Sequence, residues 1–156
     1  SSPDPLDAHP ARAGGQAVSV GLPKMALSIR QPWAWAIINA GKDIENRNWR
    51  TAFRGPVCIH AAKGMTTSEW DDAMDFIDHA FPAPMASRLD RRASAIHSTD
   101  AKRGGIVGVA LIVDCITGSD SPWFFGRFGF VLRDVRPVPF IPVKGALGFF
   151  DWRAPR

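Results

Sequence analysis

The chain has 156 residues, 46% hydrophobic and 22% charged, a composition that excludes a wholly disordered protein and suits one compact domain burying about 70% of its unfolded surface. With 19 Lys and Arg against 15 Asp and Glu, the formal net charge is +4, which favours a polyanionic partner. Apolar runs fall short of the ~20 residues a membrane span needs, and no charged-then-apolar leader precedes a cleavage site, so a cytoplasmic protein without membrane contact is expected.

Residues 1–23 are rich in Pro, Gly, Ala and Ser without periodic apolar pattern, and read as a disordered tail or an expression remnant. The domain is expected to span residues 24–156, opening with "MALSI" as a strand. In "RQPWAWAIINAG", Pro32 suits a first helical position, and Trp33, Ala36, Ile37 and Ala40 recur at helical spacing. Gly41 suits a left-handed stop. "DIENRNW" then alternates, placing Glu45, Arg47 and Trp49 on one side of an extended segment. Strict alternation sets Lys42 on the other side, and only a bend at Gly41 brings it round.

"GPVCIHAA" (55–62) reads as a further strand. Thr66 with Glu69 has the form of a capping box, and Trp70, Ala73, Met74, Ile77 and Phe81 mark the apolar face of the helix it opens. Residues 82–103, with Arg88, Arg91, Arg92, Lys102 and Arg103, read as a basic excursion able to dock an acidic protein partner. "GIVGVALIVDCI", "WFFGRFGFVLRDV" and "ALGFFDW" read as strands, and Gly126, Gly129 and Gly148 within them suggest bends or bulges that curl a sheet. The fold class expected is α+β: one small, strongly curved β-barrel with two or three flanking helices. Cys58 and Cys115 lie in apolar runs without metal or redox spacing and read as two buried free thiols.

The densest chemistry is Lys42, Glu45 and Arg47 between Trp33, Trp35 and Trp49. Such a string is a solvated edge strand or the floor of a polar site. As a site, Lys42 offers three donors to phosphate or carbonyl, Glu45 orients that lysine or takes a proton, and Arg47 presents a planar fork to phosphate. No metal-ligand spacing, phosphate-cradling Gly loop or nucleophile elbow is present, and no cofactor is expected. His60 alternates with Cys58 along an apolar strand and reads as a core histidine.

"LSIRQPWAWAIINAGKDIENRNWRTAFRGPVCIHAAKG" resembles the ASCH domain, the PUA-like β-barrel of the activating signal cointegrator 1 homology family. The Lys-x-x-Glu-x-Arg core of the family's signature stands as Lys42, Glu45 and Arg47, with Gly41 directly before Lys42 where the family has one residue between. "GIVGVALIVDC", "SPW", "FGFVL" and "PVKGALGFF" carry the likeness over about residues 25–152. The resemblance implies a cleft between barrel and first helix, lined by the triplet and suited to single-stranded RNA or a nucleotide. Some bacterial members cut single-stranded RNA, and a shorter branch removes the acyl group of N4-acetylcytidine. That branch has a Thr three residues after the lysine, where this chain has Glu45, which counts against the amidohydrolase.

Three functions follow from these residues. The first is RNA binding through Arg30, Gln31, Trp33, Lys42, Arg47, Trp49, Arg50, Lys63 and Lys144. Among these, Trp33 is equally a core residue, and Lys63 and Lys144 either reach phosphate or are simply solvated. Trp123, Phe124 and Phe125 either stack bases or fill the barrel. The second is a ribonuclease in which Glu45 or Lys42 assists a 2′-hydroxyl and Arg47 steadies phosphate charge. The third is a protein-interaction module acting through residues 82–103.

Overall fold

Alternation along β1 (Met25–Ile29) turns Leu27 and Ile29 to one face and Ala26 to the other. The structure, a computed structural model, describes residues 21–80 and 102–155. After β1 come α1 (Trp33–Asn39), β2 (Ile44–Arg47), β3 (Gly55–Ala61), α2 (Thr67–Ala80), β4 (Gly105–Ile116), β5 (Phe128–Pro142) and β6 (Phe149–Asp151). The strands form one sheet in the order β2-β5-β4-β3-β1-β6. β1 and β3 run parallel, with α1, β2 and the turn after it as their crossover, and all other pairs are antiparallel.

The sheet is curled rather than flat, a half-barrel that with its two helices makes an α+β fold. Register shifts at Ile106/Gly108, Val109/Leu111 and Ile112/Asp114 along the β4–β5 ladder bend the two longest strands. The curl carries Phe149 of one edge strand to Phe130 of β5, 6.0 Å between ring centroids, and to Trp49 just beyond the other edge strand, 5.9 Å away. Inside the curl lie Leu27, Ile29, Val57, Ile59, Ala110, Ile112, Phe130 and Leu132. The opposite face of β1 and β3 is covered by Phe150 and Trp152, which pack on Ala26 and Cys58.

The helix read from "QPWAWAIINAG" starts one residue later than expected. Pro32 holds the N-cap position, while Trp33 and Ala34 donate to the Arg30 carbonyl at 3.0 and 3.3 Å in the turn that enters the helix. Gly41 (φ +75°) supplies the left-handed exit. The capping box at α2 is formed, Glu69 N–H donating to Thr66 Oγ1 at 3.1 Å. Ala73 and Ile77 of α2 are buried, and its Phe76 packs with α1's Trp33 and with Trp123.

Gly126 and Gly148 stand in turns at φ +85° and +65° rather than inside strands, so β5 begins only at Phe128. Gly129 does lie in β5, where a Cβ would come within 2.7 Å of Ile44 on β2. Both cysteines are free, but only Cys58 is fully buried; Cys115, near the end of β4, is partly buried at the margin of the core.

Residues 1–20 of the expected tail and 82–101 of the basic excursion lie outside the described residues. Leu22 and Pro23, assigned to the tail, are tied to the domain: the Pro23 carbonyl accepts from Trp152 Nε1 at 2.8 Å and from Cys58 Sγ at 3.4 Å. Arg153 Nη2 donates to the Leu22 carbonyl at 3.3 Å. Among the described residues no helix is long and apolar enough to cross a membrane.

Candidate functional site

The turn at Gly41 folds the chain back under α1, with Lys42 N–H donating to the Ala36 carbonyl at 3.2 Å. This reversal brings Lys42 to the Glu45 side, but inward. Its side chain is 1% exposed, and its ammonium donates to the Ile44 carbonyl and to Glu45 Oε1, the latter at 3.3 Å. It also sits 5.4 Å from the centre of the Trp33 ring. Burial pushes the Lys42 pKa below the ordinary lysine value; the Arg47 charge acts in the same direction, and Glu45 opposes both.

Glu45 and Arg47 are two apart on β2 and so share a face. Glu45 Oε2 accepts from Arg47 Nε at 2.9 Å, and Arg47 Nη2 donates to the Ser28 carbonyl on β1 at 2.8 Å. A relay of alternating charge thus runs from the enclosed ammonium, through a carboxylate that is 7% exposed, to a guanidinium that is largely buried, its side chain 19% exposed. The last reaches across the seam where β2 and β1 share no backbone ladder.

Along that seam lies a recess of about 390 Å³. Its polar wall is Glu45, Arg47, Ser28 and Arg30; its apolar wall is Trp33 from α1 and Leu147 from the loop before β6. Arg30, at the end of β1, is held by Glu69 of α2 in a two-pronged ion pair, with Nη2 2.6 Å from Oε1 and Nε on Oε2. The pair raises the Arg30 pKa and lowers that of Glu69, mainly through the hydrogen bonds between them. Asn46, also on the wall, ties down the segment before β5: its Nδ2 donates to the Trp123 carbonyl at 2.9 Å and its Oδ1 accepts from Phe125 N–H at 3.0 Å.

The structure therefore brings Arg30, Trp33, Glu45 and Arg47 to one recess and sets Lys42 behind them, beneath Glu45. Gln31, expected at the cleft edge, is buried and braces α1: its Oε1 accepts from Trp35 N–H at 2.9 Å, and its Nε2 donates to the Lys102 carbonyl at 3.4 Å. Trp49 packs edge-on to Phe130 and Phe149. Arg50 is exposed over the Phe128 ring, 5.1 Å from its centre. Lys63 and Lys144 are exposed and outside the recess lining, although Lys144 stands two residues before Ala146 of the rim. Trp123 is buried in the core, and Phe125 is 45% exposed beside Trp33 and Phe76.

His60 is 1% exposed. Its Nε2 lies 2.7 Å from the Val143 carbonyl, which can only accept, so in the neutral ring Nδ1 accepts a hydrogen bond from the Ser28 hydroxyl at 2.9 Å. Among the described residues no group of three or more His, Cys, Asp and Glu side chains gathers as metal ligands would.

Sequence reasoning missed Glu69 and Leu147. The capping box signalled Glu69 only as a helix-start residue, and its Arg30 partner is 39 positions away. Leu147 was read only as part of the strand-like "ALGFFDW", whereas the strand begins at Phe149 and leaves Leu147 in the loop before it.

The model of the ASCH domain family matches residues 27–123, a stretch that begins within β1 and takes in α1, the Lys42–Glu45–Arg47 relay, α2 and β4. None of the curated proteins compared matches the chain.

Proposed function

The chain belongs to the ASCH domain family, a family of RNA-binding type, and we propose from this that it binds single-stranded RNA in the recess between β1 and β2. The observation that carries the reading is Arg47. Its two hydrogen bonds, to Glu45 and to Ser28, leave three of the five guanidinium N–H donors for a phosphate. Arg30 stands at the same recess, where an arriving phosphate competes with Glu69 for its fork. Trp33 offers a base a stacking face, an interaction worth ~1–3 kcal/mol per base.

Binding without cleavage is favoured by the place of Lys42. Its ammonium is enclosed and engaged by Ile44 and Glu45, and each Glu45 oxygen already accepts from a cation. Lys42 accordingly acts by holding Glu45, and Glu45 by orienting Arg47.

Titrating a labelled single-stranded oligoribonucleotide against the protein across a salt series tests this. Affinity falls with log salt concentration, since phosphate neutralisation releases counterions, and Arg30→Ala lowers the slope by about one. A flat salt response overturns the RNA reading. Cleavage of the oligonucleotide by the wild type that is lost in Glu45→Gln overturns the non-catalytic part of it.

A further inference from the structure

We infer, resting on that RNA reading, that Leu147 is a fixed apolar wall standing over one unstacked base held on Trp33, so that the recess selects an unpaired nucleotide over a duplex. Leu147 is 98% exposed, more than any other large hydrophobic side chain among the described residues, yet it lines the recess. A scattered surface leucine needs no explanation. This one is held in place on both sides by packing in which it takes no part.

Upstream, the Val143 carbonyl is fixed by His60 Nε2 at 2.7 Å. Gly145 passes so close to the His60–Ser28 pair that a Cβ there would lie 2.8 Å from His60 Cε1 and 3.1 Å from Ser28 Oγ. Downstream, Gly148 turns at φ +65° into β6, whose Phe149 pairs with Leu27. The loop is short and pinned at both ends, and its one large side chain stands outside the core.

Trp33 and Leu147 are the two large apolar side chains of the lining, and the rest is polar or small. A volume of about 390 Å³ is near the lower end of the 300–1,000 Å³ usual for small-ligand pockets, suited to one nucleotide rather than a helix edge. An A-form duplex keeps its bases stacked on one another, and only an unpaired base has a face free for the indole and an outer surface for leucine. The arginines then meet the phosphate beside that base.

The experiment compares a labelled single-stranded oligoribonucleotide with the same strand annealed to its complement, using wild type, Leu147→Ala, Leu147→Met and Arg30→Ala. Leu147→Ala is expected to bind the single strand about tenfold more weakly, with unchanged salt slope and unchanged thermal midpoint, and to lose most of the preference for single strand over duplex. Leu147→Met is expected to retain both affinity and preference. Leu147→Ala binding within twofold of wild type while Arg30→Ala is weakened overturns the role of Leu147 and leaves the RNA reading standing. A wild type that binds neither strand nor duplex overturns both.

Discussion

Arg47 Nη2 donates to the Ser28 carbonyl at 2.8 Å across a seam where β2 and β1 exchange no backbone hydrogen bonds. One guanidinium thereby joins the two sides of an open curl while its Nε holds Glu45. A lysine cannot serve two acceptors in this forked geometry. Arg47→Lys is therefore expected to lower the unfolding free energy by about 1–3 kcal/mol, as loss of one hydrogen bond from a charged donor does. Urea denaturation checks this, and a variant as stable as the wild type removes the seam-closing role.

Lys42 lies among the largest fully buried side chains. Lys42→Ala removes the packing of its stem and leaves the Ile44 carbonyl and Glu45 without their buried partner, at an expected cost of about 3–5 kcal/mol. Lys42→Met keeps most of the volume and removes the desolvated charge, so it is expected to cost less than the alanine variant. Equal costs in denaturant titrations would show that the charge, not the stem, matters. Loss of RNA binding in Lys42→Ala consequently has to be read beside its stability.

Alkaline pH separates two buried groups of opposite sign. The Lys42 pKa is lowered, chiefly by burial, so between that value and the ordinary 10.5 the unfolded chain holds the proton more often than the folded one. Stability then rises with pH over that interval. The Cys58 thiol is pushed from 9.0 up to about 11, also by burial. Its unfolded form loses the proton first, and stability falls as pH rises from about 9 to about 11. Measured from pH 7 to 11, Lys42→Met is expected to lack the rise and Cys58→Ala the fall.

Gly108 is the point where α1 meets β4. A Cβ there would approach the Arg136 carbonyl oxygen to 2.7 Å and run into Ile38 of α1. Gly108→Ala is expected to destabilise by about 1–3 kcal/mol through overpacking. Gly118→Ala, with nothing within 4 Å of its Cβ, is expected to stay within about 0.5 kcal/mol of wild type. Thermal melts of the two variants make the comparison.

Much of the fold was legible because its signals are local. The short β-prone run "MALSI" placed β1, the Gly-Pro turn signal opening "GPVCIHAA" placed β3, β-branched residues placed β4, and Thr66 with Glu69 placed the start of α2. Positive-φ positions were harder. Gly126 and Gly148 looked like bulges inside strands, and whether a glycine bends a strand or ends it depends on partners that the local pattern does not name. In the candidate site, the grouping of Glu45 with Arg47 was readable from spacing, whereas the depth of Lys42 was not. A lysine beside a turn ordinarily reaches water, and here α1 folds over it. The Arg30–Glu69 pair and the rim position of Leu147 depend on how the sheet curls, which is a property of the whole chain.

The open seam has a consequence for how the recess can change. A backbone ladder forms whatever side chains its strands carry, so its spacing is nearly blind to substitution. Here the gap is spanned instead by one guanidinium and by aromatic rings converging on Phe149, and its width follows the size of those particular groups. Exchanging them can widen or narrow the opening while every strand keeps its register, which makes the mouth adjustable independently of the scaffold behind it.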